Sequence, residues 1–201
     1  MNEQEKDKVS IWKRVLFSKT LLAKNTSKKI TYTAVATAFL VVVNILEIKL
    51  GGVQFSLTIF VAMLSGLLLG CGAGFCACFL GDMIGFFIHP FGEYSPWIGI
   101  STGLMAAFIA LFLLLPNARR TLLLYSYLWA SCLCVFFFCT CGITTWYLNA
   151  VWYKSMTFWE CLSMRLFVQG QIFNSLANYL LLFLAVPAIL KVKALKILQK
   201  L

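Results

Sequence analysis

The chain reads as an all-α membrane protein, with six transmembrane helices and both termini in the cytoplasm. Three observations predict this. Of its 201 residues, 61% are hydrophobic and only 12% are charged, about half the ~25% charged share of a soluble domain. The mean hydropathy of +0.88 agrees. The apolar runs are too long and too poor in period-two alternation to be barrel strands, so helices are the elements that satisfy their own backbone in lipid. The third observation is the placement of charge. The formal +10 is gathered in residues 1–29, at Arg119-Arg120 and in the tail (Lys191, Lys193, Lys196, Lys200), with only Lys49, Lys154 and Arg165 between. That is a positive-inside pattern, which sets topology and argues against a nucleic-acid surface.

Residues 1–29 form a basic cytoplasmic segment. Its apolar island (Ile11, Trp12, Val15, Leu16, Phe17, Leu21, Leu22) fits either a short amphipathic helix on an anionic leaflet or a plain basic tail. A six-helix transmembrane domain is expected over 30–190, and a basic tail over 191–201. The first span, about Ile30 to Ile48, opens with small residues, and Ala34 and Ala38 share one helix face. That face suits either internal packing or a partner protein; Asn44 and Glu47 lie near its outer end. Lys49-Leu50-Gly51-Gly52 makes the first outer loop, Phe55–Leu69 the second span, and Gly70–Gly74 a tight inner turn. A third span follows to Ile88, and a fourth from about Ile98 to Leu115, ended by Pro116-Asn117.

From Thr121 to Ala150 there is no charge. One perpendicular crossing of ~30 Å is too short for this run and two crossings too long, so one tilted fifth helix is expected. The sixth span is read from about Glu160 to Leu190. It carries Arg165, which either snorkels to the interface or holds an anion with its planar fork.

The eight cysteines include three C-x-C pairs, Cys76/Cys78, Cys132/Cys134 and Cys139/Cys141. Residues two apart on a helix face nearly opposite ways, so such pairs do not converge on one ion. They read as small apolar residues, with no metal site. There is no G-x-x-x-x-G-K-[ST] loop, no HExxH and no G-x-S-x-G, so the chain is read as neither an ATPase nor an enzyme.

Functional residues concentrate in Gly81–Thr102, where Asp82 sits within an apolar span and Phe91, Gly92, Glu93, Tyr94, Pro96 and Trp97 crowd one loop. An intramembrane carboxylate costs roughly 2.5–3.5 kcal/mol to insert, which marks a cavity or pathway. Beyond the fifth helix, Trp146, Tyr147, Asn149, Trp152 and Tyr153 form an interface belt or a pocket wall.

The order of residues in Leu69–Ser101 resembles the S components of energy-coupling-factor (ECF) vitamin transporters, the folate-type branch above all. A small-rich hairpin leads to Gly81-Asp82 and then to Pro90, Gly92, Tyr94 and Pro96 in a Pro-x-Gly-x-Tyr-x-Pro loop. Thr33–Ala38 is similar to the family's alanine-rich first helix, and Asn149, Trp152 and Arg165 to its later motif. The chain departs from the pattern at Cys71 (proline expected), Phe91 (threonine or serine) and Ser95 (aromatic).

The resemblance implies a multi-pass subunit of a bacterial cell membrane that captures a folate-like vitamin outside. It would deliver the vitamin through a transmembrane coupling subunit (T component) and two ATPases. ATP is then used by the partners, and this chain holds no cofactor. Phe91, Tyr94, Trp97 and Trp152 would stack on the ring, Asp82 or Glu93 accept from its amines, and Arg165 pair with a carboxylate, with Asn44 and Asn149 as further polar contacts. Ala34 and Ala38 would meet the coupling subunit. Pantothenate, riboflavin and a queuosine precursor are alternative cargoes, and a membrane-embedded enzyme or assembly factor is the alternative class.

Overall fold

The computed structural model describes residues 16–18, 21, 25–50, 53–90, 94–113 and 121–191. The expectations for Phe91, Glu93, Arg119-Arg120, most of the N-terminal island and the tail beyond Lys191 lie outside these residues.

Helix α1 spans Thr26–Ile45. It starts and stops a few residues earlier than the hydropathy implies, because the chain after it pairs as a hairpin. Strands β1 (Ile48–Leu50) and β2 (Val53–Phe55) run antiparallel, with Ile48 opposite Phe55. Lys49 and Leu50 of the expected plain loop Lys49–Gly52 therefore belong to strand β1. Helix α2 (Thr58–Leu69) has 12 residues, about 18 Å at 1.5 Å per residue. Gly70, at φ 94°, turns the chain directly into α3 (Cys71–Ile88). This left-handed backbone favours glycine.

Helix α4 is Pro96–Leu113. The fifth element, α5, joins Thr121–Cys134, a π-helical stretch Val135–Thr144 and Thr145–Val151. Leu122–Val151 is thus one continuous rod of 30 residues, in keeping with the single long helix expected there.

The expected sixth helix is broken. Helix α6 (Phe158–Ser163) runs into a π-helical turn, Met164–Val168, and α7 (Gln171–Lys191) begins afresh. The break falls at Gly170, whose φ of 68° is again left-handed. Among the described residues five helical stretches are long and apolar enough to cross a membrane, with α2 as a shorter apolar helix.

Helix α4 packs against α2, α3 and the π-helical part of α5; α1 packs on α3, and α7 on α2. The core joins Leu40 of α1, Met63 of α2, Ile109 of α4, Leu128 and Val135 of α5 and Leu182 of α7. Small residues set the closest approach. A Cβ on Gly66 would collide with the backbone of Ala106, so α2 and α4 touch main chain to main chain. Phe137, Phe138, Phe167, Phe173 and Leu184 stay exposed. Apolar side chains on the outside of such a bundle face lipid at no cost.

The ends of α2, about 18 Å apart, fall short of the ~30 Å of a bilayer core, where unpaired backbone groups are costly. Other segments cap them. At the C-terminal end Ser18 donates its N–H to Leu69 O (2.9 Å) and its Oγ–H to Leu68 O (2.7 Å). Leu21, only 1% exposed, packs beside it on Leu69, Ala73 and Ala77.

Candidate functional site: a polar cavity at one end of the bundle

A cavity of about 350 Å³ opens where α1 and α3 end and where α2 and α4 begin, the long α5 closing its far side. That volume falls in the ~300–1,000 Å³ range of small-molecule sites. Asp82 is brought here by α3, nearly two turns before the helix closes at Ile88. Its Oδ1 lies 3.4 Å from Thr102 Oγ1, a hydroxyl that also meets Ile98 O at 3.0 Å. Asn44 lines the cavity with Asp82, packed over Gly85 of α3, and Asn44 Oδ1 accepts from Thr58 Oγ1 at 2.8 Å. Helices α1, α2, α3 and α4 therefore meet around one carboxylate, which accounts for its place within an apolar span.

Arg165 lies on the opposite wall and is 7% exposed. Its Nη1 donates to Thr140 O (3.1 Å) and to Thr145 Oγ1, and Thr145 Oγ1 donates to the same carbonyl at 2.9 Å. The guanidinium thus pins the π-helical turn Met164–Val168 to the π-helical stretch of α5. The Arg165 Nε–H has no acceptor among the described residues. Tyr94 OH, Ser95 Oγ and Thr140 Oγ1 are likewise buried without a partner, and all four groups belong to residues that line the cavity. Buried polar atoms left unmatched in a cavity wall are what an incoming ligand satisfies.

Aromatic residues form the rim. Tyr94 stacks on Phe87 (5.5 Å, 28°) and leans on Phe86 (5.3 Å). Trp152 and Tyr147 stand on the α5 side. Gln169 Nε2 donates to Tyr153 OH at 3.3 Å, tying the segment before Gly170 to the end of α5.

Of the residues expected at the site, Asn44, Asp82, Tyr94, Trp152 and Arg165 line the cavity. Trp97 lies outside its lining, 48% exposed, edge-on to Trp146 at 5.9 Å. Asn149 is also outside, its Nδ2 donating to Tyr153 O (3.2 Å) and Met156 O (2.8 Å) to hold the loop after α5. Phe91 and Glu93 lie outside the described residues. Sequence reasoning assigned no site role to Ser56, Thr58, Ser101, Thr102, Thr144 and Asn174. Serine, threonine and asparagine are ordinary in helices, and only assembly shows which of them face one space.

Among the described residues no group of His, Cys, Asp or Glu is placed to hold a metal ion. The flank of α1 carries Ala34 and Ala38 on its exposed side, while Thr37 turns inward and donates to Ala77 O of α3 at 3.2 Å.

No curated protein matches this chain. The family model described as "ECF-type riboflavin transporter, S component" matches residues 24–196, from the start of α1 past the end of α7. The chain therefore belongs to the S-component family of ECF-type riboflavin transporters, whose members are membrane subunits of vitamin transporters and not enzymes.

Proposed function

We propose that this S component captures a flat heteroaromatic vitamin with a polar tail, and that riboflavin is the cargo its cavity suits best. The observation that carries this is the balance of the walls. Among the polar lining residues hydroxyls and amides outnumber the charge-bearing side chains, which are Asp82, Glu47, His89 and the single guanidinium of Arg165. Riboflavin is uncharged and would be read by hydroxyl and amide groups along its ribityl chain and imide edge, with Tyr94 and Trp152 offering ring faces. Folate carries a dicarboxylate tail. It would place two more negative charges in a space that already holds two carboxylates and one cation, at a desolvation cost one arginine offsets only in part.

Folate is nonetheless the second reading, and Arg165 favours it: its unmatched Nε–H is a ready donor for one carboxylate, with Asp82 left to accept from ring amines. Native mass spectrometry of the detergent-purified chain decides between them. Riboflavin retained supports the first reading, folate replaces it with the second, and no retained or titratable vitamin overturns both.

The cavity faces outward in this reading, and both termini are cytoplasmic. Lys28 and Lys29 sit at the end of α1 opposite Asn44, which supports that orientation. The family implies a T component and ATPases as partners. We assign the exposed Ala34–Ala38 face to the T component, because small residues admit close helix approach.

A further inference from the structure

The outer end of α2 is held by a residue that does not line the cavity. Asn178 of α7 is 0% exposed. Its Oδ1 accepts from Phe60 N at 2.9 Å, while its Nδ2 donates to Ser56 O (2.8 Å), Asn174 O (2.7 Å) and Asn174 Oδ1 (3.1 Å). Asn174 Oδ1 accepts in turn from Ser56 N at 3.1 Å. From there the bonding continues through Ser56 Oγ to Thr58 Oγ1, and through Thr58 Oγ1 to Asn44. Ser56, Thr58, Asn44 and Asn174 all line the cavity. One buried amide, set behind the wall, therefore governs four groups that face the ligand.

We infer that Asn178 is a positioning residue for the vitamin site, orienting the Ser56–Thr58 wall and Asn44 before the ligand arrives. The inference rests on the reading of the cavity as the vitamin site. Its physical basis is preorganisation: polar groups already fixed in the bound arrangement need not lose freedom when the ligand enters. Helix α2 supplies its own control, because the Ser18 cap at the far end satisfies backbone groups of the same helix and touches no cavity residue. A cap that acts only on stability would give the same result from either end.

The test uses the full purified chain titrated with riboflavin and, in parallel, folate, comparing wild type with Asn178→Asp and Ser18→Ala. Asn178→Asp keeps the acceptor for Phe60 N–H and loses the donors to Ser56 and Asn174. It is expected to weaken binding of the vitamin the wild type takes at least tenfold. Ser18→Ala lowers the melting temperature and changes affinity less than twofold. Hydrogen exchange on ligand-free wild type gives a readout independent of any variant's folding: the Ser56 and Phe60 amides are expected to be protected already. Wild-type affinity in Asn178→Asp, equal affinity losses in both variants, or freely exchanging Ser56 and Phe60 amides would each overturn the inference alone. A wild type that binds neither vitamin overturns the cavity reading and this inference with it.

Discussion

The two ends of α2 solve the same physical problem by opposite means. At the C-terminal end, helices meet through missing side chains: Gly66 lies against the Ala106 backbone, and Gly70 turns the chain with Ser18 as polar closure. At the N-terminal end, helices are joined by side-chain hydrogen bonds from Asn44, Thr58, Asn174 and Asn178. Close packing leaves no room for a ligand. Side-chain bridges leave a space whose walls are polar and already oriented. A short apolar helix thus becomes a strut between a sealed floor and an open cup.

The most drastic way to break this contrast is to put a side chain where backbones touch. Gly66→Leu is expected to cost more than ~4 kcal/mol, the size of a severe core disruption, and to yield no monodisperse protein on size exclusion. A well-folded Gly66→Leu would mean that the α2–α4 contact is looser than described.

At the cup, Arg165→Ala is expected to weaken riboflavin binding about tenfold or more, about 1.4 kcal/mol, in a fluorescence titration. Arg165→Lys should rescue it poorly, because a lysine has no counterpart of the Nε–H, which is unmatched among the described residues while Nη1 holds the Thr140 and Thr145 oxygens. Unchanged affinity in Arg165→Ala would confine this residue to pinning the π-helical turns.

The lateral face sharpens the contrast in another way. Ala38→Trp is expected to abolish pull-down of the coupling subunit while the purified variant binds riboflavin as wild type does. Loss of vitamin binding instead would make that face part of the internal packing. The smallest effect is expected at the start of α6, where Thr157 and Glu160 cap each other's backbone (Thr157 N to Glu160 Oε2, 2.8 Å; Glu160 N to Thr157 Oγ1, 3.4 Å). Thr157→Ala should lower the melting temperature by only a few degrees in a thermal scan and leave affinity unchanged.

Hydropathy made the helical membrane class legible, because in lipid a long apolar run has helix as its way to satisfy the backbone. The unbroken α5 was legible for the same reason, from a run without charge. Asp82 and Arg165 stood out by composition alone, since an ionisable group amid apolar residues is costly enough to need a reason. The order of residues around Gly81–Pro96 carried the family.

Hidden from the sequence were the break at Gly170, the hairpin after α1 and the polar residues of α7. A glycine is compatible with a helix until a tertiary contact selects positive φ, and strand pairing depends on which segments come together. Asn174 and Asn178 resemble any helical asparagines along the chain. They become caps of α2 only because α7 lies across its N-terminal end, and hydrogen bonds between helices are fixed by distance and direction, which hydropathy and spacing do not encode.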